Sequence, residues 1–454
     1  MNESFKRYLE EAIGCENALV AFSALGQTAS VSVRLNPFKN RSGLSGSPIA
    51  WNRYGLILDQ RPQFTLDPFF HGGAYYVQDS SSMFVGHVFR QVLAGMQLPA
   101  SRPLRVLDLC AAPGGKTTDL LASLREVCGD SFLLVANEVM KARVGVLADN
   151  VALWGDPNVV VTSDDPREFA ALSGYFDIIL ADVPCSGEGM FRKDEEAQKQ
   201  WSVDNVSLCA SRQKRIVADV WQSLTENGIL IYSTCTFNRY ENDDNVAWIA
   251  ENLGAEVVRD DFAEECPGVL KTENGFSLVP GHVVGEGQYC GVLRKTSGED
   301  RSYKGTPHQE RQVKGAVPPD GLDRFFLKKM SFSVKGDTVT AVPENINGDV
   351  AFLRRNLRVI AAGCAVGTLK GKILVPDADL ALSLALDKSA FQCAEVDRQT
   401  ALAFLHRDAV TLADKEKGYV LICHGGLPLG FVKNIGNRCN SLHPQSRRIR
   451  MNII

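Results

Sequence analysis

A chain of 454 residues exceeds what one hydrophobic core serves, so two to four domains are expected. With 45% hydrophobic and 22% charged residues it has the composition of an ordinary soluble globular protein, and no apolar run reaches the length that spans a bilayer. The net charge of −4 argues mildly against a nucleic-acid partner, although the distribution of charge weighs more than its sum.

The N-terminus, MNESFKRYLEEAIG, has the pattern of an amphipathic helix and lacks the apolar stretch and cleavage site of a signal peptide, so a cytoplasmic location is expected. A strand-like stretch, ASVSVRLN, follows, and then a polar loop around NPFKNRSGLSGSP where turn residues cluster. In this region Arg34, Asn36, Tyr75 and Tyr76 are placed to touch RNA, with core packing a nearly equal explanation for the tyrosines.

From about 100 to 295 the text alternates apolar runs with helix-like segments. The runs are LRVLDL (104–109), SFLLVANE (131–138), NVVVT (158–162), FDIILAD (176–182) and GILIYST (228–234). Continuous runs rich in Val, Ile and Leu fit parallel strands buried on both faces, and their alternation with helices implies a doubly wound α/β sheet. The helix VSLCASRQKRIVADVWQSL should pack Leu208, Ile216, Val217, Val220 and Trp221 on its apolar side.

Residues 296–320 are polar and turn-rich and read as a linker. A segment of mixed pattern, 321–395, suggests no particular fold. After Glu416 no acidic residue occurs, while Lys417, Lys433, Arg438, Arg447, Arg448 and Arg450 do, with Phe431 and His443 among them. In a Gly-containing, strand-like context this reads as a small folded module with one basic face, suited to RNA contact; a solvated basic tail is the plainer alternative.

The first strand of the α/β region runs into Asp108-Leu-Cys-Ala-Ala-Pro-Gly-Gly-Lys116. Ligands of open α/β sheets bind beyond the carboxyl ends of the strands, and small residues there let the backbone approach closely. The helix that follows offers its N-terminal amides to an anionic group. The second strand ends in Asn137-Glu138, where a carboxylate can accept from a ribose diol, and the third is followed by Asp164-Asp165, placed to meet an adenine amino group. The loop spells neither G-x-G-x-x-G nor a Walker A sequence, so one nucleoside without pyrophosphate, S-adenosylmethionine, is the better fit.

The fourth strand runs into Asp182-Val-Pro-Cys185 and the fifth into Ser233-Thr-Cys235-Thr, so both thiols should face one cleft. A single cysteine is usually an inert buried thiol; two at corresponding strand exits are harder to dismiss. Thiolate addition at C6 of cytosine makes the ring enamine-like and C5 able to take a methyl group, which is covalent catalysis. An acidic group near N3, for which Asp182 is the choice, favours the adduct. Glu188 and Phe191-Arg192-Lys193 lie just past Cys185, where Arg192 or Lys193 is placed for phosphate contact unless the stretch is an ordinary surface loop.

The segments DLCAAPGGKT, ADVPCSGEGMFRK, STCT and YEND, with GAYYVQDSSSM (73–83) ahead of them, resemble the signatures of the Sun/Nop2-type RNA 5-methylcytosine methyltransferases. The overall layout looks like the bacterial 16S rRNA (cytosine-C5)-methyltransferases of that family, which end in a PUA-like RNA-binding domain. The resemblance implies a Rossmann-like α/β methyltransferase core with an N-terminal α+β domain and small α+β or β C-terminal domains. The expected division is 1–85, an N-terminal substrate domain; 86–296, catalytic; 297–320, linker; 321–395, intermediate; and 396–454, PUA-like. It implies Cys235 as nucleophile, Cys185 as an aid to product release, and a cofactor surrounded by Cys110, Ala111, Ala112, Pro113, Gly114, Gly115, Lys116, Glu138, Asp165 and Asp182. Asp165 is preferred over Asp164 because Phe169 follows at the family's spacing. The usual Asp-Ala-Pro-Cys is Asp-Val-Pro-Cys here.

A DNA cytosine methyltransferase would attack from the Pro-Cys loop, leaving Thr-Cys-Thr without purpose, so DNA is not the expected substrate. A tRNA substrate and a catalytically silent rRNA-binding assembly factor are the remaining alternatives. The cysteines and histidines show no metal-ligand spacing, and neither a metal nor a membrane partner is expected.

Overall fold

The computed structural model describes residues 3–39, 43–296, 317–412 and 414–453. Of the expected linker, residues 297–316 lie outside the described residues. Among the described residues no helix is long and apolar enough to cross a membrane.

The five apolar runs form strands β1 (Leu104–Asp108), β2 (Phe132–Asn137), β3 (Val159–Thr162), β4 (Phe176–Asp182) and β5 (Leu224–Thr234). They pair in parallel in the order β5-β4-β1-β2-β3, so the chain reverses direction between β1 and β4. The central strands lack polar alternation because both faces are covered: every residue of β2 and β3 is buried. Helices α1 (Gly115–Cys128) and α2 (Lys141–Trp154) follow β1 and β2, and α3 (Val203–Val220) precedes β5. One face is covered by α1, α2 and the helix Met83–Gly95, the other by α3 and residues 347–357. On α3, Ile216, Val217, Val220 and Trp221 are buried as expected, but Leu208 is 58% exposed: it lies on the outer side of the helix.

Five strands extend this ten-stranded sheet beyond the runs read from the sequence, and two of them pair directly with its parallel strands. Strand β6 (Gln288–Lys295) pairs antiparallel with β5, and β7 (Val359–Ala362) pairs antiparallel with β3 at the opposite edge. Residues 347–362 of the segment that suggested no fold are therefore part of the catalytic layer, with Val350 and Leu353 in its core. The rest of that segment forms a four-stranded antiparallel sheet over 330–376. The final strands, Gln392–Glu395, Gly418–His424, Leu427–Asn434 and Cys439–Ser441, form another sheet, whose first pair is parallel. Phe391 lies between Phe325 and Phe431 at ring distances of 4.9 and 4.8 Å, so these two small sheets share apolar packing.

The N-terminal region is α+β: helices Glu3–Ile13 and Cys15–Leu25, then a four-stranded sheet that includes Val31–Leu35 and Tyr75–Val77. Three of the four residues expected to touch RNA here are turned inward, while Tyr76 is half-buried. Arg34 donates to Gln78 Oε1 (2.8 Å), Thr118 Oγ1 (2.6 Å) and the Gly115 carbonyl (3.1 Å), and sits over the Trp154 ring. Asn36 donates to the Gly73 and Trp154 carbonyls, and the Tyr75 hydroxyl to Asp67. Arg34 and Asn36 are buried struts from the N-terminal sheet to α1 and α2, and Tyr75 is buried against Asp67, which leaves none of the three a face for RNA.

Candidate active site

The site lies at the carboxyl edge of the parallel strands. After β1 the chain turns through Gly114 into α1; its φ of +110° is one that L side chains rarely adopt, and an added Cβ would stand 3.3 Å from Leu147. Asp108, at the end of β1, is fully buried. Its Oδ2 accepts from Thr117 Oγ1 (2.7 Å) while Oδ1 has no protein partner, and burial pushes the carboxyl up to about 7. Cys110 is half-buried, its thiol pushed far up by burial and by the nearby Asp182 and Asp108 carboxylates.

Asn137 ties the loops together. Its Nδ2 donates to the carbonyls of Leu109 and Asp164, and its Oδ1 accepts from Thr162 Oγ1 and the Asp164 amide. Next to it Glu138 is buried, accepts from the Met140 amide (2.8 Å) and lies 3.4 Å from Arg143. Asp164 accepts from the Arg358 amide and so anchors the entry to β7. Asp165 accepts from the Arg167 amide, and its side chain stays 38% exposed toward solvent. An acceptor-lined rim beside a close backbone turn suits a nucleoside: Glu138 and Asp165 for hydroxyl and amino donors, and the free Asp108 oxygen for a further donor.

At the ends of β4 and β5 the two thiols meet: the Sγ atoms of Cys185 and Cys235 are 3.2 Å apart. The hydrogen bond to Cys235 and burial hold the Cys185 thiol well above the ordinary range, so it keeps its proton. Asp182 stands alongside, with Oδ2 accepting from Lys116 Nζ (2.9 Å) and Oδ1 from Ser233 Oγ (3.0 Å) and Gln288 Nε2 (3.2 Å). Burial lowers the Lys116 ammonium, but Asp182 and Cys235 outweigh it and hold the group charged above its ordinary value. The glycine turn and the acid are thus joined through one ion pair, and Cys235 is near enough to Lys116 to act on its charge.

Three features of the site escaped the sequence. Gln288 reaches Asp182 from antiparallel β6, far along the chain, with no motif to announce it. Glu188 is not on an open surface loop: it is 1% exposed and receives four hydrogen bonds. Arg192 offers nothing to a phosphate, because it is paired with Glu286 (2.7 Å) and donates to the Gly285 carbonyl. Lys193 lies 3.7 Å from Asp79 and 3.9 Å from Glu286. Among the described residues no cluster of His, Cys, Asp and Glu is arranged to hold a metal ion.

The basic tail is divided by the fold. Phe431 and His443 are buried, and Arg447 pairs with Asp149 (2.8 Å) and Asp379 (2.7 Å), pinning the tail to α2. Lys417, Lys433, Arg438, Arg448 and Arg450 are exposed.

The strand order, the turn after β1 and the acidic rim define a protein of the Rossmann-like α/β class with a nucleoside-sized edge. The family described as "16S rRNA methyltransferase RsmB/F" matches residues 96–294, that of the "N-terminal domain of 16S rRNA methyltransferase RsmF" residues 1–80, and the "Methyltransferase RsmF PUA domain" residues 391–449. Similar proteins named "Ribosomal RNA small subunit methyltransferase F" include one from Shewanella oneidensis, 30% identical over 91% of this chain and 90% of its own length. Another, from Shewanella sp. strain ANA-3, is 28% identical over 98% and 96%. The chain belongs to the RsmB/F family of 16S rRNA methyltransferases. Among solved structures, NSun6 from Pyrococcus horikoshii with SFG superposes with a TM-score of 0.54 at 18% identity, over 65% of this chain and 99% of that one. A methyltransferase homolog protein from the same organism gives 0.50 at 23% identity, over 65% and 100%. These two likenesses carry the fold.

Proposed function

We propose that this protein methylates C5 of a cytosine in small-subunit ribosomal RNA in the cytoplasm, with S-adenosylmethionine as donor and Cys235 as nucleophile. The observation that carries the reading is the 3.2 Å contact of the Cys185 and Cys235 sulfurs beside the Lys116–Asp182 pair. The names of the similar Shewanella proteins support the substrate. S-adenosylmethionine, when bound, supplies an electrophilic methyl group. Glu138 and Asp165 would accept from its hydroxyl and amino groups, Cys110 to Lys116 would form the turn against it, and Asp182 would stand toward its reactive end.

A positive charge favours attack by a nearby sulfur, and Cys235 is the one that faces the Lys116 ammonium. Addition of Cys235 Sγ at C6 puts electron density on C5 and N3. Asp182, paired with Lys116, is the acidic group proposed beside N3, where that charge builds, and C5 would take the methyl carbon as the carbon's bond to the donor sulfonium breaks, leaving the thioether. Loss of the C5 proton and elimination of Cys235 release the product, with Cys185 assisting that elimination. The base must leave its stack to reach the thiols. In this reading residues 86–296 carry out the chemistry and 1–85 complete the substrate side. Residues 297–320 link to 321–395 and to a PUA-like RNA-binding unit, 396–454.

Incubation with small-subunit rRNA and methyl-labelled cofactor, followed by nuclease digestion, tests the reading. Label in 5-methylcytosine is expected. Label in tRNA alone would move the substrate, and no label in any cytosine would favour a silent rRNA-binding assembly factor.

A further inference from the structure

The loops bearing Cys185 and Cys235 are tied to each other by a reciprocal pair of buried carboxylates. Glu188, three residues after Cys185, accepts from the amides of Phe237 (2.6 Å) and Asn238 (3.1 Å) and from Asn238 Nδ2 (2.9 Å), all on the Cys235 loop. Glu241, six residues after Cys235, accepts from the amide of Ser186 (3.0 Å), the residue next to Cys185. Gln213 on α3 donates to the same oxygen (2.7 Å), and the other oxygen accepts from the Asn238 side chain that also bonds Glu188 (2.9 Å). Two further ties lie between: Ser186 Oγ meets Thr236 Oγ1 at 3.0 Å, and the Gly189 amide donates to the Cys235 carbonyl (2.8 Å). Gly189 is needed for that approach, since a Cβ there would stand 2.8 Å from the carbonyl oxygen.

Two like charges this deeply buried repel and are costly to desolvate, so folding stability alone gives little reason for them. Their bonds instead run across the loop boundary in both directions. We propose that Glu188 and Glu241 are positioning residues that fix the distance between the two thiols, so that Cys185 can act on the adduct Cys235 has made. This rests on the methyltransferase reading above.

A clasp of this kind predicts a specific failure. Glu188→Gln puts an NH₂ where Phe237 and Asn238 already donate, which pushes the loops apart without removing either cysteine. Attack by Cys235 needs only its own loop and should persist, whereas elimination needs both. Glu188→Gln should therefore accumulate a denaturant-resistant protein–RNA adduct, as Cys185→Ala does, with multiple turnover lowered about 10- to 100-fold while first-turnover methyl incorporation is retained. Trp201→Phe is the control: it removes a bond to the same carboxylate (2.8 Å) that does not cross between the cysteine loops. It should lower thermal stability without trapping adduct.

Asn238→Ala breaks the clasp from the other side, should trap adduct as well, and serves as the test if Glu188→Gln does not fold. Loss of adduct and of methyl incorporation together in these variants, or equal trapping by Trp201→Phe, would overturn the proposal. If Cys185→Ala itself forms no adduct and the native protein transfers no methyl, the methyltransferase reading has failed rather than the clasp.

Discussion

At the scale of single residues, the two thiols differ through their surroundings. Cys185 is held protonated by burial and by its bond to Cys235, while Cys235 shares its side of the cleft with the Lys116 ammonium. Cys235→Ala should lower methyl transfer by more than about 10³-fold, as loss of a covalent nucleophile does, while Cys185→Ala should leave adduct visible on a denaturing gel. Glu138→Gln should weaken cofactor binding about 10- to 100-fold by calorimetry, because a buried carboxylate acceptor is replaced by a neutral one. The cysteines, the glycine turn and Glu138 were legible because each ends a recognisable apolar run. Glu188, Arg192 and Gln288 were not. A charged residue in a loop reads as solvent-facing unless its partner is known, and the partners of Arg192 and Gln288 stand 94 and 106 positions away.

At the scale of elements, the five parallel strands emerged from the sequence within a few residues of their observed ends, because strands buried on both faces cannot hide their apolar composition. Strand β7 did not, since a four-residue edge strand exposes half of itself and its pairing is set by tertiary contact. The helix before it, Asn347–Asn356, packs Leu353 fully into the core of the catalytic sheet. Leu353→Ala should cost roughly 2–5 kcal/mol in chemical denaturation, and should do so within the catalytic unit's transition and not in a separate one. The loops at the carboxyl edge also carry a pH dependence. Asp108 and Glu241 have folded-state values of about 7 against ordinary values of 3.8 and 4.5, the first through burial, the second through burial and Glu188. The folded state then binds more protons than the unfolded chain, so this contribution to stability is complete below about pH 4 and is lost as pH rises to about 7. Stability should fall between about pH 4 and 7, and Glu241→Gln, which cannot ionise, should flatten that fall.

At the scale of the whole molecule, the net charge of −4 conceals an uneven surface. Lys433 stands exposed on the terminal sheet and Lys417, Arg438, Arg448 and Arg450 on the segments around it, while Arg34 and Arg447 are spent on joining regions to one another. RNA affinity should therefore fall steeply with salt, and replacing Lys433 and Arg438 together should lower the slope of log K against log salt by roughly 1.4, at about 0.7 per single-strand phosphate. The account as a whole stands on one claim, that the thiols at the ends of β4 and β5 act on one cytosine beside the methyl donor. Peptide mapping by mass spectrometry of the adduct formed by Cys185→Ala with small-subunit rRNA and cofactor tests it most directly. A methylated cytosine attached to the peptide containing Cys235 is the predicted result; attachment at any other residue, or to an unmethylated base only, would contradict it.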